Sequence, residues 1–455
     1  MTECHQDSFP FAPAFRREVT ARFDAGPVSS DGGALLLREV ARKMDLLPRL
    51  AACFTDGRDP GRIEHTVEQL LSQRLYALAL GYEDLNDHDT LRFDPLLALL
   101  TGKREPEEEP LASKSTLNRL ELTRPCSDSP AQRYQRILFD PASADQLLLQ
   151  LFIEAHSHPP KEIVLDLDAT DDPLHGKQEG RFFHGYYGHY CYLPLYVFCG
   201  DHLLCARLRT ANGDASAGAL EDIQRIVSGL RQHWPAVRIT LRADSGFCRE
   251  ELMRWCEDHQ VDYVFGLARN RRLEEMLGEA LAEARQQHER TGQPVRLFRE
   301  LRYQTRESWS QERRVVGKAE HLAKGANPRF VVTSLSAEQW AAQSLYEQLY
   351  CARGEMENRI KEQFQLFADR LSTHWLWSNQ LRLYLSAFAY VLIDSLRRWA
   401  LPGTALARAE VNTIRLRLLK IGALVKVSVR RVWVSMSRAH PAARVFAQAW
   451  SALRC

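Results

Sequence analysis

Residues 162–170, EIVLDLDAT, form a short apolar run with two aspartates set into it at alternate positions. A strand sends successive side chains to opposite faces, so Asp166 and Asp168 project on one face and Leu165 and Leu167 on the other. Two acids at a strand end are a poor core choice. Taken alone, with Asp171 and Asp172 close behind, they could equally be a turn or cap device. Downstream, YCYLPLYVF (190–198) and LLCARLRT (203–210) read as two more strands. Helical spacing appears in GALEDIQRIVSGLRQHW (218–234) and a strand returns in VRITLRADSGF (237–247). A helix in REELMRWCEDHQ (249–260), a strand in DYVFGLAR (262–269) and, much later, a helix around ENRIKEQFQLF (357–367) complete the series.

Three strands, helix, strand, helix, strand, helix is the element order of the ribonuclease-H-like fold. The expectation is therefore an α/β core of that kind. Between its last strand and last helix lies an insertion, residues 271–345, which opens as a charged helix and continues in β-rich runs. Its stretch 291–330 carries nine Lys or Arg against four Glu, a candidate phosphate-contacting surface. Upstream, residues 1–155 read as helices separated by polar turns. The expected layout is this region, a first core part at 156–270, the insertion at 271–345, final core helices at 346–400 and a basic tail at 401–455.

At 455 residues the chain has room for about three domains, and 45% apolar with 26% charged residues excludes disorder, collagen repeats and coiled coil as whole-chain descriptions. The net charge is only +2, but residues 401–455 hold ten basic residues and a single acid, Glu410. Such a tail fits a polyanion, because Lys and Arg gain affinity by releasing counterions from phosphates. The N-terminus lacks the basic-then-apolar order of a secretory peptide, and the most apolar stretch, 383–393, is too short to span a bilayer, so a cytoplasmic protein is expected. Ten cysteines without a CxxC indicate core thiols rather than a zinc ribbon or redox pair.

Two further acids stand out. Asp244 follows the apolar run VRITL, at the strand end where open α/β sheets place ligands, although alone it could cap the next helix. In YCARGEMENRIKEQF (350–364), Met356, Ile360 and Phe364, continued by Phe367, form an apolar stripe beside a polar one of Tyr350, Arg353, Glu357 and Lys361. On helix statistics alone, Arg353, Glu357 and Lys361 would be a surface salt-bridge row. As a set, however, two strand acids and one helix acid can converge on hard divalent cations. A pair of Mg²⁺ ions about 4 Å apart activates the nucleophile and stabilises the leaving oxygen of a phosphodiester.

With these motifs the chain resembles the DDE-type transposases of bacterial insertion sequences, in the branch with a Tyr-Arg-Glu-Lys signature and a β-insertion before the final acid. The similarity runs through GYEDLNDHDTLRFDP (81–95), LASKSTLNRLE (111–121), LDLDATDDPLHGKQEG (165–180), LRADSGF (241–247), YVFGLARN (263–270) and YCARGEMENRIKE (350–362). The resemblance implies that Asp168, Asp244 and Glu357 are the catalytic and metal-binding acids. They would hold two Mg²⁺ ions, or Mn²⁺ in their place. Tyr350, Arg353 and Lys361 would contact DNA. Double-stranded DNA is the implied partner, both as inverted-repeat ends and as target, with a dimer on paired ends and no membrane. One departure stands out: the signature lysine belongs seven residues after the glutamate, where this chain has Phe364, while Lys361 lies four after it.

Two rival readings accompany this one. LDLDAT also fits the Asp-x-Asp-x-Thr motif of haloacid-dehalogenase-like phosphohydrolases, with Asp166 as nucleophile and Asp168 as acid. Phe364 leaves room for an inactive, DNA-binding relic. Elsewhere, His175, His184 and His189 have irregular spacing that favours hairpin roles over zinc. Trp309 reads as a packed residue, with base stacking as the alternative. VKVSVRRVWV (425–434) alternates Lys426, Ser428 and Arg430 on one strand face.

Overall fold

In the computed structural model, which describes residues 8–103, 110–125 and 136–454, the run 162–170 becomes strand β1 (Glu162–Ala169), placed inside a nine-stranded sheet. The other strands are β2 (Leu195–Cys199), β3 (His202–Arg207), β4 (Arg238–Ala243), β5 (Asp262–Leu267), β6 (Val295–Tyr303), β7 (Arg313–Leu322), the short β8 (Gly325–Ala326) and β9 (Arg329–Thr333). Their order is β3-β2-β1-β4-β5-β9-β7-β6, with β8 paired to β7. Strands β1, β4 and β5 are parallel, and the neighbouring pairs outside this trio are antiparallel. The strands of segment 271–345 thus extend the same sheet beyond β5.

Alternation decides what each face buries. Leu165, Leu167, Leu241, Tyr263 and Phe265 point into a core closed by helices α1 (Ala219–His233) and α2 (Glu250–Asp258), through Ile223, Ile226, Leu230, Leu252 and Met253. On the opposite face, Val264, Val316 and Val331 pack against Leu345, Tyr346 and Leu349. Because β1 and β4 are parallel and in register, Asp166 lies opposite Arg242, while Asp168 lies opposite Tyr196 of β2. Both aspartates therefore sit on the second face, as the alternation requires.

The chain divides into two compact units, residues 1–139 with 392–455, and residues 140–391. The second unit contains the whole sheet. It is pinned by an ion cluster in which the half-buried Arg207 of β3 reaches the buried Asp145 (2.8 Å) and Asp222 (2.6 Å), while the Tyr384 hydroxyl donates to Asp145 (2.7 Å). In the first unit the helix Val67–Leu80 is almost wholly buried, entered by a Thr66–Gln69 capping box and ended at Gly81 in the left-handed conformation (φ 96°). It carries Arg74, whose Nε meets Glu121 at 2.5 Å with both side chains buried. The strand Val28–Ser29 leads a three-stranded sheet with Ala423–Ser428 and Arg431–Met436. Among the described residues no helix is long and apolar enough to cross a membrane. Cys53, Cys191, Cys199, Cys205, Cys248, Cys256 and Cys351 are thiols outside any disulfide, and Cys351 is exposed rather than in the core.

Candidate active site

The three acids arrive from three separate elements. Asp168 is the penultimate residue of β1. Asp244 follows β4 directly and caps the short turn Ser245–Phe247, its Oδ1 accepting from the Gly246 N–H at 2.8 Å. Asp244 thus caps this turn and not helix α2, whose N-cap position is Arg249, and its Oδ2 lies outside the turn's bond. β1 and β4 are adjacent and parallel, so both acids stand at the carboxyl ends of neighbouring strands, where sheet geometry opens a crevice. Beyond helix α3 (Gly278–Thr291) of the segment 271–345, Glu357 comes from helix α4 (Gly354–Gln365).

The segment leading to Glu357 is not the single regular helix expected from its spacing. Leu345–Tyr350 is wound as a π-helix, Cys351–Arg353 as a 3₁₀ turn, and only then does α4 begin. Tertiary contacts override the simple period here: Leu345, Tyr346 and Leu349 pack on the sheet, and the Leu349 carbonyl accepts from Arg242 Nη1 at 2.6 Å. Such wide turns occur frequently at functional sites because they re-aim side chains. The apolar stripe is shortened for the same kind of reason. Met356 and Ile360 are buried, but the helix stops at Gln365, Phe364 is half-buried, and Phe367 lies beyond the end with φ 67°.

Arg353 links the first and third acids. Its Nη1 donates to Asp168 Oδ2 at 3.2 Å, and its Nη2 lies 3.5 Å from Glu357 Oε1. The Asp168 carboxyl is pushed up to about 6 by burial, with Arg353 opposing and the negative charges of Asp244 and Glu357 adding to the rise. Against the burial that would lower it, the Arg353 guanidinium is raised by Asp168, Tyr350, Asp244 and Glu357. The four charged groups therefore share one electrostatic site. Among the described residues no three His, Cys, Asp or Glu side chains stand close enough to hold a metal ion in this conformation, in which Arg353 lies between Asp168 and Glu357.

Asp166, the neighbouring aspartate, has a different task. Arg242 clamps it with two prongs, Nε to Oδ1 at 2.5 Å and Nη2 to Oδ2 at 2.7 Å, and both side chains are buried. Both oxygens are held by a guanidinium and the carboxylate is buried, an arrangement that suits a structural ion pair rather than a nucleophile. Sequence reasoning missed Arg242. The available signal was a basic residue at the end of a largely apolar run, two positions before Asp244.

Tyr350 rests against Gly266 of β5. A Cβ built on Gly266 would come within 2.6 Å of the Tyr350 hydroxyl and 2.9 Å of the Ser245 nitrogen, so any larger residue would force these neighbours to shift. Burial raises the Tyr350 phenol, with Arg353 opposing and Asp244 reinforcing, so it remains a neutral O–H donor. Next to it opens a cavity of 300 Å³ lined in part by Ser245, Arg269, Arg329, Tyr346 and Tyr350. Lys361 is exposed on α4, and of the expected row only the Arg353–Glu357 pair forms. Trp309 is buried, edge-on to Tyr303 and under Arg313, which leaves no face for a base. His189 pairs with Asp171 at 2.8 Å across the small sheet that follows β1, a hairpin role.

Comparison with solved structures finds the piggyBac transposase synaptic complex with hairpin DNA, determined by cryo-EM. It is 11% identical, with a TM-score of 0.43 over 86% of this chain and 80% of that one. No curated protein matches the sequence. The sequence family described as transposase DDE domain group 1 matches residues 11–455, nearly the whole length, and the chain belongs to that family.

Proposed function

We propose that this protein is the transposase of an insertion sequence, cutting DNA at the element's terminal inverted repeats and joining the freed ends to target DNA. One observation carries the reading: Asp168, Asp244 and Glu357, brought from β1, the end of β4 and α4, share a single electrostatic site bridged by Arg353. The strand order β3-β2-β1-β4-β5 followed by α4 supports a ribonuclease-H-like core, with 271–345 as its insertion. Residues 1–155 are assigned to DNA binding or dimerisation, and two paired ends call for a dimer on DNA, in the cytoplasm.

The donor set fits divalent cations. Three carboxylates offer hard oxygens, and Asp168, pushed up chiefly by burial with Asp244 and Glu357 adding to the rise, is a group whose charged form a cation would stabilise. Asp168, Asp244 and Glu357 would hold Mg²⁺ or Mn²⁺, two ions per site. When bound, the cations activate the attacking water or 3′-hydroxyl and neutralise charge on the leaving oxygen. The chain's own residues supply the rest. Arg353 balances the acids in this structure and carries a guanidinium suited to a phosphate oxygen. Tyr350, held neutral, donates a hydrogen bond to the DNA backbone, and Arg242 fixes Asp166 and Leu349 so that the flanking groups keep their places.

The test is incubation of purified protein with a plasmid carrying the gene's own flanking DNA and Mg²⁺ or Mn²⁺, beside Glu357→Gln. Breaks at inverted repeats by the wild type only are expected. Binding without breaks in either protein would make the chain a relic, with Phe364 as the position to restore to lysine. Asp166→Asn checks the phosphohydrolase alternative: it should spare much of the cleavage while costing stability, whereas a phosphohydrolase would lose all activity.

A further inference from the structure

The last acid in the chain is Glu410, so residues 411–455 hold nine basic residues and no acid. Part of that segment folds as an antiparallel ribbon, Ala423–Ser428 with Arg431–Met436, whose base at Ala423 and Leu424 also pairs with Val28–Ser29 and whose remainder is two-stranded. Pairing Lys426 with Trp433 and Ser428 with Arg431 puts all four on one face. The reverse face carries Val425, Val427, Val432 and Val434, with Val425 fully buried. Arg430, expected in line with Lys426, instead lies in the turn beside Val429 at the exposed tip. Lys426, Arg430 and Arg431 are exposed and form no ion pair among the described residues, unlike Lys420, which meets Asp31 at 2.8 Å.

From this geometry we infer that the ribbon Ala423–Met436 is a docking surface for duplex DNA, with Lys426, Arg430 and Arg431 on phosphates and Trp433 against the groove wall. This inference rests on the transposase reading and names the surface that reading needs. Three arguments favour duplex DNA. The charge is of one sign, and no acid in the segment neutralises it. Two strands about 4.8 Å apart, with their side chains, match the width of a major groove of about 12 Å. An aromatic residue held beside uncompensated cations is half exposed, at 48%, on the face that would meet the DNA.

The test measures the affinity of the full-length protein for a mixed-sequence duplex oligonucleotide at several salt concentrations. The triple variant Lys426→Ala/Arg430→Ala/Arg431→Ala should bind more weakly and lower the slope of log K against log salt by roughly 2 to 3, near 0.9 per lost phosphate contact. A variant exchanging the same positions for the other basic residue (Lys426→Arg/Arg430→Lys/Arg431→Lys) should restore the slope. Arg254→Ala/Arg271→Ala/Arg285→Ala removes equal charge from exposed helix pairs and should leave the slope unchanged. An equal fall in that control would reduce the effect to overall charge and overturn the inference. So would loss of binding to phosphatidylserine vesicles with DNA binding intact, which would place a lipid surface on the ribbon. If the wild type cuts DNA and the ribbon variant keeps its slope, the ribbon assignment falls while the transposase stands. If the wild type shows no salt-dependent DNA binding, both fall.

Discussion

At the residue scale, the site depends on one glycine. Gly266→Ala would press a methyl group into the Tyr350 hydroxyl and the Ser245 backbone, beside Asp244. The expected cost is about 1–3 kcal/mol, as for other overpacked positions, with a marked loss of cleavage. Tyr350→Phe removes the atom at 2.6 Å, so the alanine should cost less in that background. A double-mutant cycle by chemical denaturation measures this coupling, and strict additivity would place the clash elsewhere. Asp172 offers a pH-dependent prediction. It is buried, and burial together with the charges of Asp369 and Asp171 pushes its carboxyl up to about 8, with Arg370 opposing. Its ordinary value is near 3.9, so between the two values the folded protein holds one proton more than the unfolded chain, and stability falls as pH rises, by about 1.4 kcal/mol per pH unit. Asp172→Asn abolishes that loss. Its melting temperature relative to wild type should climb from pH 5 to pH 8.5, whereas a pH-independent difference would show that the group is not held protonated.

At the element scale, Arg242 makes β1, β4 and the π-helical segment Leu345–Tyr350 interdependent through Asp166 and the Leu349 carbonyl. Removing one partner of a buried pair strands the other charge. Arg242→Met should therefore cost roughly 3–5 kcal/mol, and the double variant Arg242→Met/Asp166→Leu should recover much of it. Urea denaturation of both variants checks this, and equal losses in the single and double variants would contradict it. The same elements show what the sequence could and could not reveal. The strands and the acids Asp168 and Asp244 were legible because β1 and β4 are local patterns, alternating or apolar runs that end in an acid. The spacing of Arg353 and Glu357 was legible because both sit within one turn of each other. The π-helical winding was not, since it follows from how Leu345, Tyr346 and Leu349 pack on distant strands, nor was the left-handed Phe367, which a helical period carries straight through. Gly266 gave no local signal at all, because the atom it avoids belongs to a residue far along the chain.

At the scale of the whole molecule, the two compact units each contain their own buried ion pairing. In the first unit, Arg74 binds Glu121 and the carbonyls of Tyr82 and Glu83, joining the central helix to the helix Lys114–Glu121 and to the loop after Gly81. In the second, Asp145 takes Arg207 and the Tyr384 hydroxyl, joining three elements around the sheet edge at β3. Burial pushes the Asp145 carboxyl up, with Arg225 and Arg207 opposing, so its charge there depends on those arginines. Loss of the Glu121 charge leaves Arg74 buried without its counter-ion, at a cost of several kcal/mol, whereas loss of the Asp145 charge leaves Arg207 on Asp222 and removes one of the cluster's two carboxylates, at a smaller cost. Chains built from more than one compact unit commonly depart from all-or-none unfolding. Calorimetry of the wild type should then require two transitions. Glu121→Gln should lower the one belonging to residues 1–139 with 392–455, and Asp145→Asn the one belonging to residues 140–391. Hydrogen exchange assigns each transition to its residues, because amides of the affected unit lose protection first. A single transition lowered by both variants would instead mean that the chain melts as one cooperative body, and that the carboxylate site shares its stability with residues far from the sheet that builds it.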